Sequence, residues 1–338
     1  MTAASAFTPR RLLVTGGAGF IGSAFVEAAL SGGEPLAAAV ERVVVLDALT
    51  YAGKREHLAA VERDPRFVFV HGDVCDRPLV DRLFAEHDVD AVVHLAAESH
   101  VDRSIADGAP FVRTNVVGTF TLLDAAHHAW RGPRRFLHVS SDEVYGALGP
   151  TGRFDESSRY APSSPYAASK ASSDHFVRAY FVTHALPTLV THAANNFGPR
   201  QAPEKLVPLC IARAVAGEPL PLYGDGRQVR EWLYVDDHVA GLWRALALGR
   251  PGETYDFGGA EELENRDVVA RIADAVDAAL GRPPGTSRRL VTHVTDRPGH
   301  DFRYALDSSK ACRELGWSPR TPFDEGLART VHASVSRR

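Results

Sequence analysis

Short apolar runs alternate with longer amphipathic stretches through the first half of the chain. The runs are rich in Val, Leu and Phe and too short for helices, which indicates β-strands. The predicted strands are residues 11–15, 42–47, 67–70, 91–96 and 135–140. Helical spacing follows at 22–30, 78–86 and 111–130. Strands that alternate with helices form right-handed βαβ units, so this pattern predicts a doubly wound parallel α/β sheet.

The pattern changes after about residue 195, where the elements become shorter. Prolines and glycines divide this part of the chain, at Pro199, Pro203, Pro208, Pro219, Pro221, Gly224 and Gly226. Such punctuation favours a smaller lobe built onto the sheet. We therefore predict one domain over residues 1–195, to which later segments return, and a smaller C-terminal lobe over residues 196–338.

Composition and charge exclude several classes of protein. Of the 338 residues, 45% are hydrophobic and 24% are charged, and the net charge is −4. No basic face for nucleic acid is therefore expected. The three cysteines form no CxxC pair, which indicates reduced thiols in the cytoplasm. We also find no signal-peptide pattern, no apolar run of membrane-spanning length and no metal-ligand spacing of histidines, so we expect a cytoplasmic protein without metal.

A glycine-rich turn connects the first predicted strand to the first helix. Residues 14–22 read VTGGAGFIG and contain a GxGxxG motif directly after Gly16. Glycines at these positions let backbone N–H groups approach a pyrophosphate at the helix N-terminus. Asp47 ends the second strand, where its carboxylate would accept ribose hydroxyl groups and repel a 2′-phosphate. The turn therefore predicts a Rossmann-type site for NAD rather than NADP, and Asp73 either lies near the adenine or caps a helix.

Two pairs of residues carry candidate chemistry. Tyr166 and Lys170 lie four residues apart near the start of another predicted helix, so they share one face. An adjacent ammonium lowers the pKa of a phenol, which lets tyrosinate accept a hydroxyl proton while a carbinol is oxidised. Asp142 and Glu143 follow the fifth strand, where two carboxyl groups suit an acid and a base acting on neighbouring atoms. A capping Asp beside a solvated Glu remains the alternative for that pair.

Three motifs together resemble those of the extended short-chain dehydrogenases, and more specifically of the dTDP-glucose 4,6-dehydratases. They are GGAGFIG at 16–22, SSDEVYG at 140–146 and YAASK at 166–170. Further similar segments are residues 46–53, 96–105, 195–199, 203–206, 230–235 and 296–300. The ordered set extends from about Leu12 to Trp317.

This resemblance implies that dTDP-glucose is dehydrated to dTDP-4-keto-6-deoxyglucose by a carbon–oxygen lyase that regenerates NAD within each turnover. Tyr166, assisted by Lys170, would take the proton of the sugar 4-hydroxyl while hydride leaves C4. Glu143 would then remove the C5 proton and Asp142 would protonate the departing 6-hydroxyl. Hydride would return to C6 and a proton to C5. Ser141 would hydrogen-bond to the 4-oxygen.

The resemblance also implies the binding residues. For NAD they are Gly16, Gly19, Phe20, Ile21, Gly22, Asp47, Leu49, Thr50, Asp73, Val74, Leu95, Ala96, Ala97, Ser99, Thr114, Tyr166, Lys170 and Asn196. For the nucleotide sugar they are Ser99, Ser141, Asn195, Lys205, Leu206, Pro221, Tyr223, Arg230, Asn265, Arg297 and His300. Arg230 is the implied diphosphate partner because a guanidinium can bind two phosphate oxygens at once. A homodimer that packs the helices at 111–130 and 166–184 is also implied.

The chain departs from the resemblance in three places. Ser141 replaces a Thr of many relatives, which keeps the hydroxyl but loses the methyl group that stiffens the rotamer. Residues 332–338 replace an aromatic helix that contributes a tyrosine in relatives, and residues 31–41 lengthen a surface loop. Recognition of thymidine against uridine therefore stays open.

Three other functions remain open. A 4-epimerase needs neither a C5 base nor a C6 acid, so the pair of Asp142 and Glu143 argues against it. A UDP-glucuronate decarboxylase would require an arginine for the sugar carboxylate. A non-catalytic NAD-binding regulator would need neither the acid pair nor Tyr166 and Lys170.

Overall fold

A seven-stranded parallel sheet forms the centre of the computed structural model, which describes residues 6–259, 261–296 and 300–336. The strands in chain order are β1 (Arg11–Thr15), β2 (Arg42–Asp47), β3 (Phe67–His71), β4 (Ala91–His94), β5 (Arg135–Val139), β6 (Thr188–Ala193), β7 (Asn195–Phe197), β8 (Leu220–Tyr223), β9 (Val229–Tyr234), β10 (Thr254–Phe257), β11 (Glu261–Glu264) and β12 (Val291–Val294). The central sheet has the order β10-β6-β5-β4-β1-β2-β3. The winding therefore reverses between β1 and β4, and ligands of open α/β sheets bind at such a switch point.

Helices cover both faces of this sheet. They are α1 (Phe20–Leu30), α2 (Arg77–His87), α3 (Val101–Ala106), α4 (Ala109–Phe111), α5 (Thr119–Ala129), α6 (Pro165–His184), α7 (Leu206–Ala216), α8 (Val235–Leu248), α9 (Asn265–Ala279), α10 (Ser309–Leu315) and α11 (Phe323–Val335). On one face, the buried ring of Phe25 in α1 stacks on Trp243 in α8, with ring centroids 4.5 Å apart. On the other face, Leu83 of α2 and Leu122 of α5 belong to a second core with Val177 of α6. The predicted doubly wound Rossmann fold is confirmed.

The helix predicted at 111–130 is interrupted. A π-helical turn over Val112–Gly118 separates α4 from α5. Within this turn, the Asn115 amide donates hydrogen bonds to the Glu98 carbonyl (3.0 Å) and to Ser169 Oγ (2.8 Å). The wider turn therefore aims a polar side chain at α6, which an apolar periodicity cannot reveal.

The later part of the chain contributes two small sheets and one strand of the large sheet. β11, β9 and β7 form a three-stranded sheet, and β12 pairs with β8. β10 instead lies at the edge of the seven-stranded sheet, parallel to β6. The chain thus returns to the large sheet after residue 196, while the division at residues 195 and 196 stays a prediction. In the described ranges, no helix has the length and apolarity that crossing a membrane requires.

Candidate active site

A cleft opens at the carboxyl ends of β1, β4 and β5, beside the switch point of the sheet. The backbones that follow β1 and β4 approach closely here. Gly16 has φ +70°, and a Cβ atom at this residue would lie 2.6 Å from the Ala96 nitrogen. A Cβ atom at Gly22 would lie 2.2 Å from the Gly16 carbonyl oxygen. Only glycine fits these positions, so the cleft floor is bare backbone at the N-terminus of α1, which suits a pyrophosphate.

Asp47, at the end of β2, is fixed by backbone hydrogen bonds. Its Oδ2 accepts from the Ala18 N–H and its Oδ1 from the Leu49 N–H, both at 2.8 Å. Each carboxylate oxygen keeps a second lone pair, which could accept a ribose hydroxyl. Leu49 has a left-handed backbone with φ +49° and does not line the cleft. Leu49 therefore contributes to the site through the hydrogen bond from its N–H to Asp47 and not by lining the cleft.

Asp73 lines the cleft and does not cap a helix. Its Oδ1 accepts a hydrogen bond from the Cys75 N–H, and its Oδ2 accepts one from Arg113. Asp76 instead caps α2, by accepting from the Leu79 N–H. Of the two alternatives for Asp73, the cap is wrong.

The acid pair lies in a short helical turn directly after β5. Ser141 caps this turn by accepting a hydrogen bond from the Glu143 N–H, and its hydroxyl donates to Asp142 Oδ1 at 3.3 Å. Asp142 is 4% exposed, and its Oδ2 has no hydrogen-bond partner among the described residues. Burial raises the pKa of Asp142 to about 8, with repulsion from Glu143 and Glu231 adding to it and Arg230 opposing it. Asp142 is therefore a carboxylic acid at neutral pH and can donate a proton.

Tyr166 and Lys170 lie on the buried face of α6. Lys170 Nζ donates to the Val139 carbonyl at 2.9 Å, which ties the helix to the end of β5. Burial raises the pKa of Tyr166, and the charges of Glu143 and Asp142 raise it further. The predicted lowering of this pKa by Lys170 is not seen in the protein alone, because burial and two carboxyl groups act on the phenol. A cationic ligand beside the phenol would act in the opposite direction.

Most of the sequence-predicted residues meet in this one cleft. The predicted NAD residues that line it are Gly16, Gly19, Phe20, Ile21, Gly22, Asp47, Thr50, Asp73, Val74, Leu95, Ala96, Ala97, Ser99, Thr114, Tyr166, Lys170 and Asn196. The other predicted residues that line it are Ser141, Asp142, Glu143, Asn195 and Lys205. Leu206, the first residue of α7, does not line it.

A second group of predicted residues lies on later elements of the chain, outside the cleft lining. Arg230 on β9 is buried, and its guanidinium donates to the carbonyls of Val229, Asp301 and Phe302. His300 Nδ1 donates a 2.7 Å hydrogen bond to Asp296 Oδ1. The remaining members are Pro221, Tyr223 and Asn265. Arg297 lies outside the described residues.

Four polar residues that line the cleft were missed by the sequence analysis: Glu98, Ser140, Gln201 and His238. His238 hydrogen-bonds through Nδ1 to Asn196 Oδ1 at 3.0 Å, and burial lowers its pKa to about 3. It is therefore a neutral imidazole that orients a predicted NAD residue. Gln201 lies between two segments of the resemblance and could have been found there, whereas no local signal marks His238.

The sequence and fold match known nucleotide-sugar enzymes. The family model described as GDP-mannose 4,6 dehydratase matches residues 13–330. A dTDP-glucose 4,6-dehydratase of Xanthomonas campestris pv. campestris (strain B100) is 54% identical over 94% of this chain and 91% of its own. The crystal structure of DesIV, a dTDP-glucose 4,6-dehydratase from Streptomyces venezuelae solved with NAD bound, has a TM-score of 0.91 at 51% identity over 97% and 98% of the two chains. A UDP-glucose 4-epimerase from Thermotoga maritima has a TM-score of 0.85 at 28% identity over 97% and 99%.

The bare backbone of the glycine turn predicts a specific defect in Gly22→Ala. Overpacking a tight site costs about 1–3 kcal/mol, and about 1.4 kcal/mol is tenfold in a dissociation constant. We therefore expect NAD binding, measured by calorimetry on the cofactor-stripped protein, to weaken by about tenfold or more. Gly33→Ala is the matched control, because its Cβ atom would meet only Ser31 Oγ at 3.5 Å. Equal NAD affinity in the two variants would contradict the assignment of the turn.

Proposed function

Because the chain belongs to the GDP-mannose 4,6 dehydratase family, we propose that it dehydrates dTDP-glucose to dTDP-4-keto-6-deoxyglucose. It is an NAD-dependent carbon–oxygen lyase that regenerates its cofactor in each turnover. One observation carries the proposal beyond the family. A buried, protonated Asp142 stands next to Glu143 in the same cleft as Tyr166 and Lys170.

The residues of the cleft fit NAD. The positions where Gly16 and Gly22 exclude a side chain leave room for a pyrophosphate, and Asp47 presents its carboxylate at the end of β2. When bound, NAD supplies an acceptor that takes a hydride from C4 of the sugar and gives it back to C6. We propose that the cleft residues predicted for NAD hold it there.

Tyr166 and Lys170 are the proposed groups for the first proton transfer. The phenol of Tyr166 takes the proton of the sugar 4-hydroxyl, and Ser141 holds the 4-oxygen from the end of β5. Lys170 supplies a positive charge beneath the phenol, which favours tyrosinate. Burial raises the pKa of Tyr166 in the protein alone, and this charge opposes that effect.

Asp142 and Glu143 are the proposed groups for the loss of water. The C4 ketone makes the C5 proton acidic, and Glu143 removes it. Asp142 gives its proton to the departing 6-hydroxyl, which requires the carboxylic acid form that its burial maintains. When the hydride is given back to C6, a proton returns to C5, which completes the 4-keto-6-deoxy sugar. Burial and repulsion from the adjacent carboxyl group thus keep Asp142 protonated as the acid, while Glu143 acts as the base.

The acid pair also distinguishes this activity from its alternatives. The epimerase fold covers 97% of the chain, so the fold alone does not separate the two reactions. An epimerase has no step that uses an acid at C6, and a regulator has no step that uses any of these groups. A decarboxylase needs an arginine at the sugar carboxylate, and no arginine is among the described residues that line the cleft.

We propose that the smaller lobe binds the nucleotide, with Arg230 near the diphosphate. Arg230 is close enough to Asp142 for its charge to lower the pKa of that acid. Tyr223, His300, Asn265, Pro221 and Arg297 are proposed for the rest of the nucleotide sugar. The cytoplasm is the proposed compartment, since Cys75, Cys210 and Cys312 are free thiols.

Turnover tests the proposed function directly. Purified protein with NAD is expected to convert dTDP-glucose to a product lighter than the substrate by the mass of one water, measured by mass spectrometry. A product of unchanged mass would identify an epimerase, and loss of carbon dioxide from UDP-glucuronate would identify a decarboxylase. No conversion of any of these substrates would leave only a binding protein.

Glu143→Gln separates the two halves of the reaction. Hydride transfer from C4 is expected to persist, because Tyr166 and Lys170 are intact, while water loss falls by about 10²-fold or more as the general base is removed. Absorbance of bound NADH and release of the ketosugar measure the two halves. Glu86→Gln, an exposed acid on α2 that pairs with Arg82 outside the cleft lining, is the control. Equal loss of both halves would mean that Glu143 has a different role.

We further propose a homodimer that packs α5 and α6 of each subunit. The apolar side chains of Val117, Phe120, Phe176 and Val182 are 39–62% exposed on these helices and the turn before them. Such a contiguous apolar surface is typical of an interface. Light scattering is expected to give twice the chain mass of 36.6 kDa. Phe176→Glu should give the monomer and Leu248→Glu, at an exposed position on α8, should not; a monomeric parent protein would refute the dimer.

A further inference from the structure

A stripe of buried polar side chains crosses the sheet beneath α6, and the reaction described above uses none of them. His138 on β5, His192 on β6 and Asp256 on β10 are each 0% exposed. In the parallel register, His138 is opposite Val190 and Asp256 is opposite His192, so all three side chains point to the same face. That face carries Lys170.

Asp174 of α6 is at the centre of this stripe. Its Oδ2 accepts hydrogen bonds from Ser140 Oγ at 2.9 Å and from His192 Nε2 at 3.2 Å. His138 Nε2 lies 3.2 Å from its Oδ1. On the far side, His192 Nδ1 lies 2.8 Å from Asp256 Oδ1. His192 thus bridges two carboxylates, which fits an imidazolium that donates from both nitrogens.

Asp174 acts on two cations, His192 and Lys170. Burial alone would lower the pKa of His192, but its hydrogen bonds to Asp174 and Asp256 raise it to about 10. Burial lowers the pKa of Lys170 to about 8, and the charge of Asp174, one turn further along α6, opposes this. Hydrogen bonds from His138 and His192 hold the pKa of Asp174 well below its usual value, so Asp174 is a carboxylate, whereas burial raises the pKa of Asp256. The other titratable groups that face the cluster are His94, Tyr145, Glu156, Tyr160, Tyr166 and Lys310.

We propose that Asp174 is a positioning residue for the C4 oxidation step, acting as the counterion of Lys170 and joining α6 to the end of β5. This inference rests on the proposed function for the identity of the step. Ser140, which Asp174 holds, directly precedes Ser141 and the acid pair, so the same carboxylate fixes both halves of the site. Buried ion pairs are weak contributors to stability, and apolar residues often replace them without cost. A functional reason for this cluster is therefore favoured over a structural one.

The test titrates Lys170 directly. The lysines of the chain are Lys54, Lys170, Lys205 and Lys310, so carbon-13 labelling of lysine gives a simple NMR spectrum. In Asp174→Asn, the Lys170 signal is expected to titrate about one unit or more below the parent, because an opposite charge nearby shifts a pKa by about 1–3 units. His192→Gln removes a positive charge instead, so the pKa of Lys170 should rise in this variant. Asp277→Asn, another buried aspartate, bonded to Ser287 far from the cluster, should leave the signal unchanged.

Kinetics then connect this titration to the reaction. Loss of the Lys170 ammonium as pH rises abolishes its effect on Tyr166, so the alkaline limb of bound NADH formation should move with the NMR value in each variant, with the KM for dTDP-glucose unchanged. A parent protein that does not turn over dTDP-glucose would refute the proposed function, while the NMR shifts would still report on the counterion. Shifts of the same sign in Asp174→Asn and His192→Gln, or none in Asp174→Asn, would overturn this inference. If Asp174→Asn does not fold, the sign of the His192→Gln shift decides alone.

Discussion

The chemistry of this cleft depends on one constraint: ionisable side chains at one edge of the sheet are buried away from water. Desolvation disfavours the charged form of any group, so it moves an acid and a base toward each other in pKa. Here it raises the pKa of Asp142 and lowers that of Lys170, both to about 8. For Asp142 the effect is useful, because a proton donor must hold its proton at neutral pH. For Lys170 desolvation works against the proposed role, in which the ammonium charge favours tyrosinate, and the charge of Asp174 opposes part of this effect.

The parallel sheet is the reason that these groups meet. Strand ends at one edge bring together the backbone after β1, the carboxylate at the end of β2 and the turn after β5. The helix α6 then crosses beneath this edge and is joined to β5 by Lys170 and Asp174. Cofactor site, acid pair and proton acceptor are therefore positioned by one rigid element, which suits a reaction that transfers hydride twice without release of the cofactor.

Related activities share this fold. The Thermotoga maritima UDP-glucose 4-epimerase superimposes over nearly the whole chain at 28% identity. Oxidation at C4 is common to epimerisation and dehydration, so the proposed roles of the glycine turn, Tyr166 and Lys170 fit either reaction. The proposed chemistry at C5 and C6 rests on the acid pair, which lies on a turn that Ser141 caps.

The sequence by itself determined the first five strands and most of the residues of the cleft, because these depend on local signals. Periodicity located β1 to β5, and the spacing of glycines, of Tyr166 and Lys170 and of the acid pair marked residues that share a strand end or a helix face. Only the tertiary structure decided how each group is protonated and what surrounds it. Lys170 was expected to lower the pKa of Tyr166, but burial and the neighbouring carboxyl groups raise it. His138, His192, Asp256 and Asp174 come from four separate segments and look like ordinary interior residues one at a time. The protonation states of these residues depend on how they pack in a low-dielectric interior. Distance and solvent exclusion set the electrostatic energy there, and no local sequence pattern records either quantity.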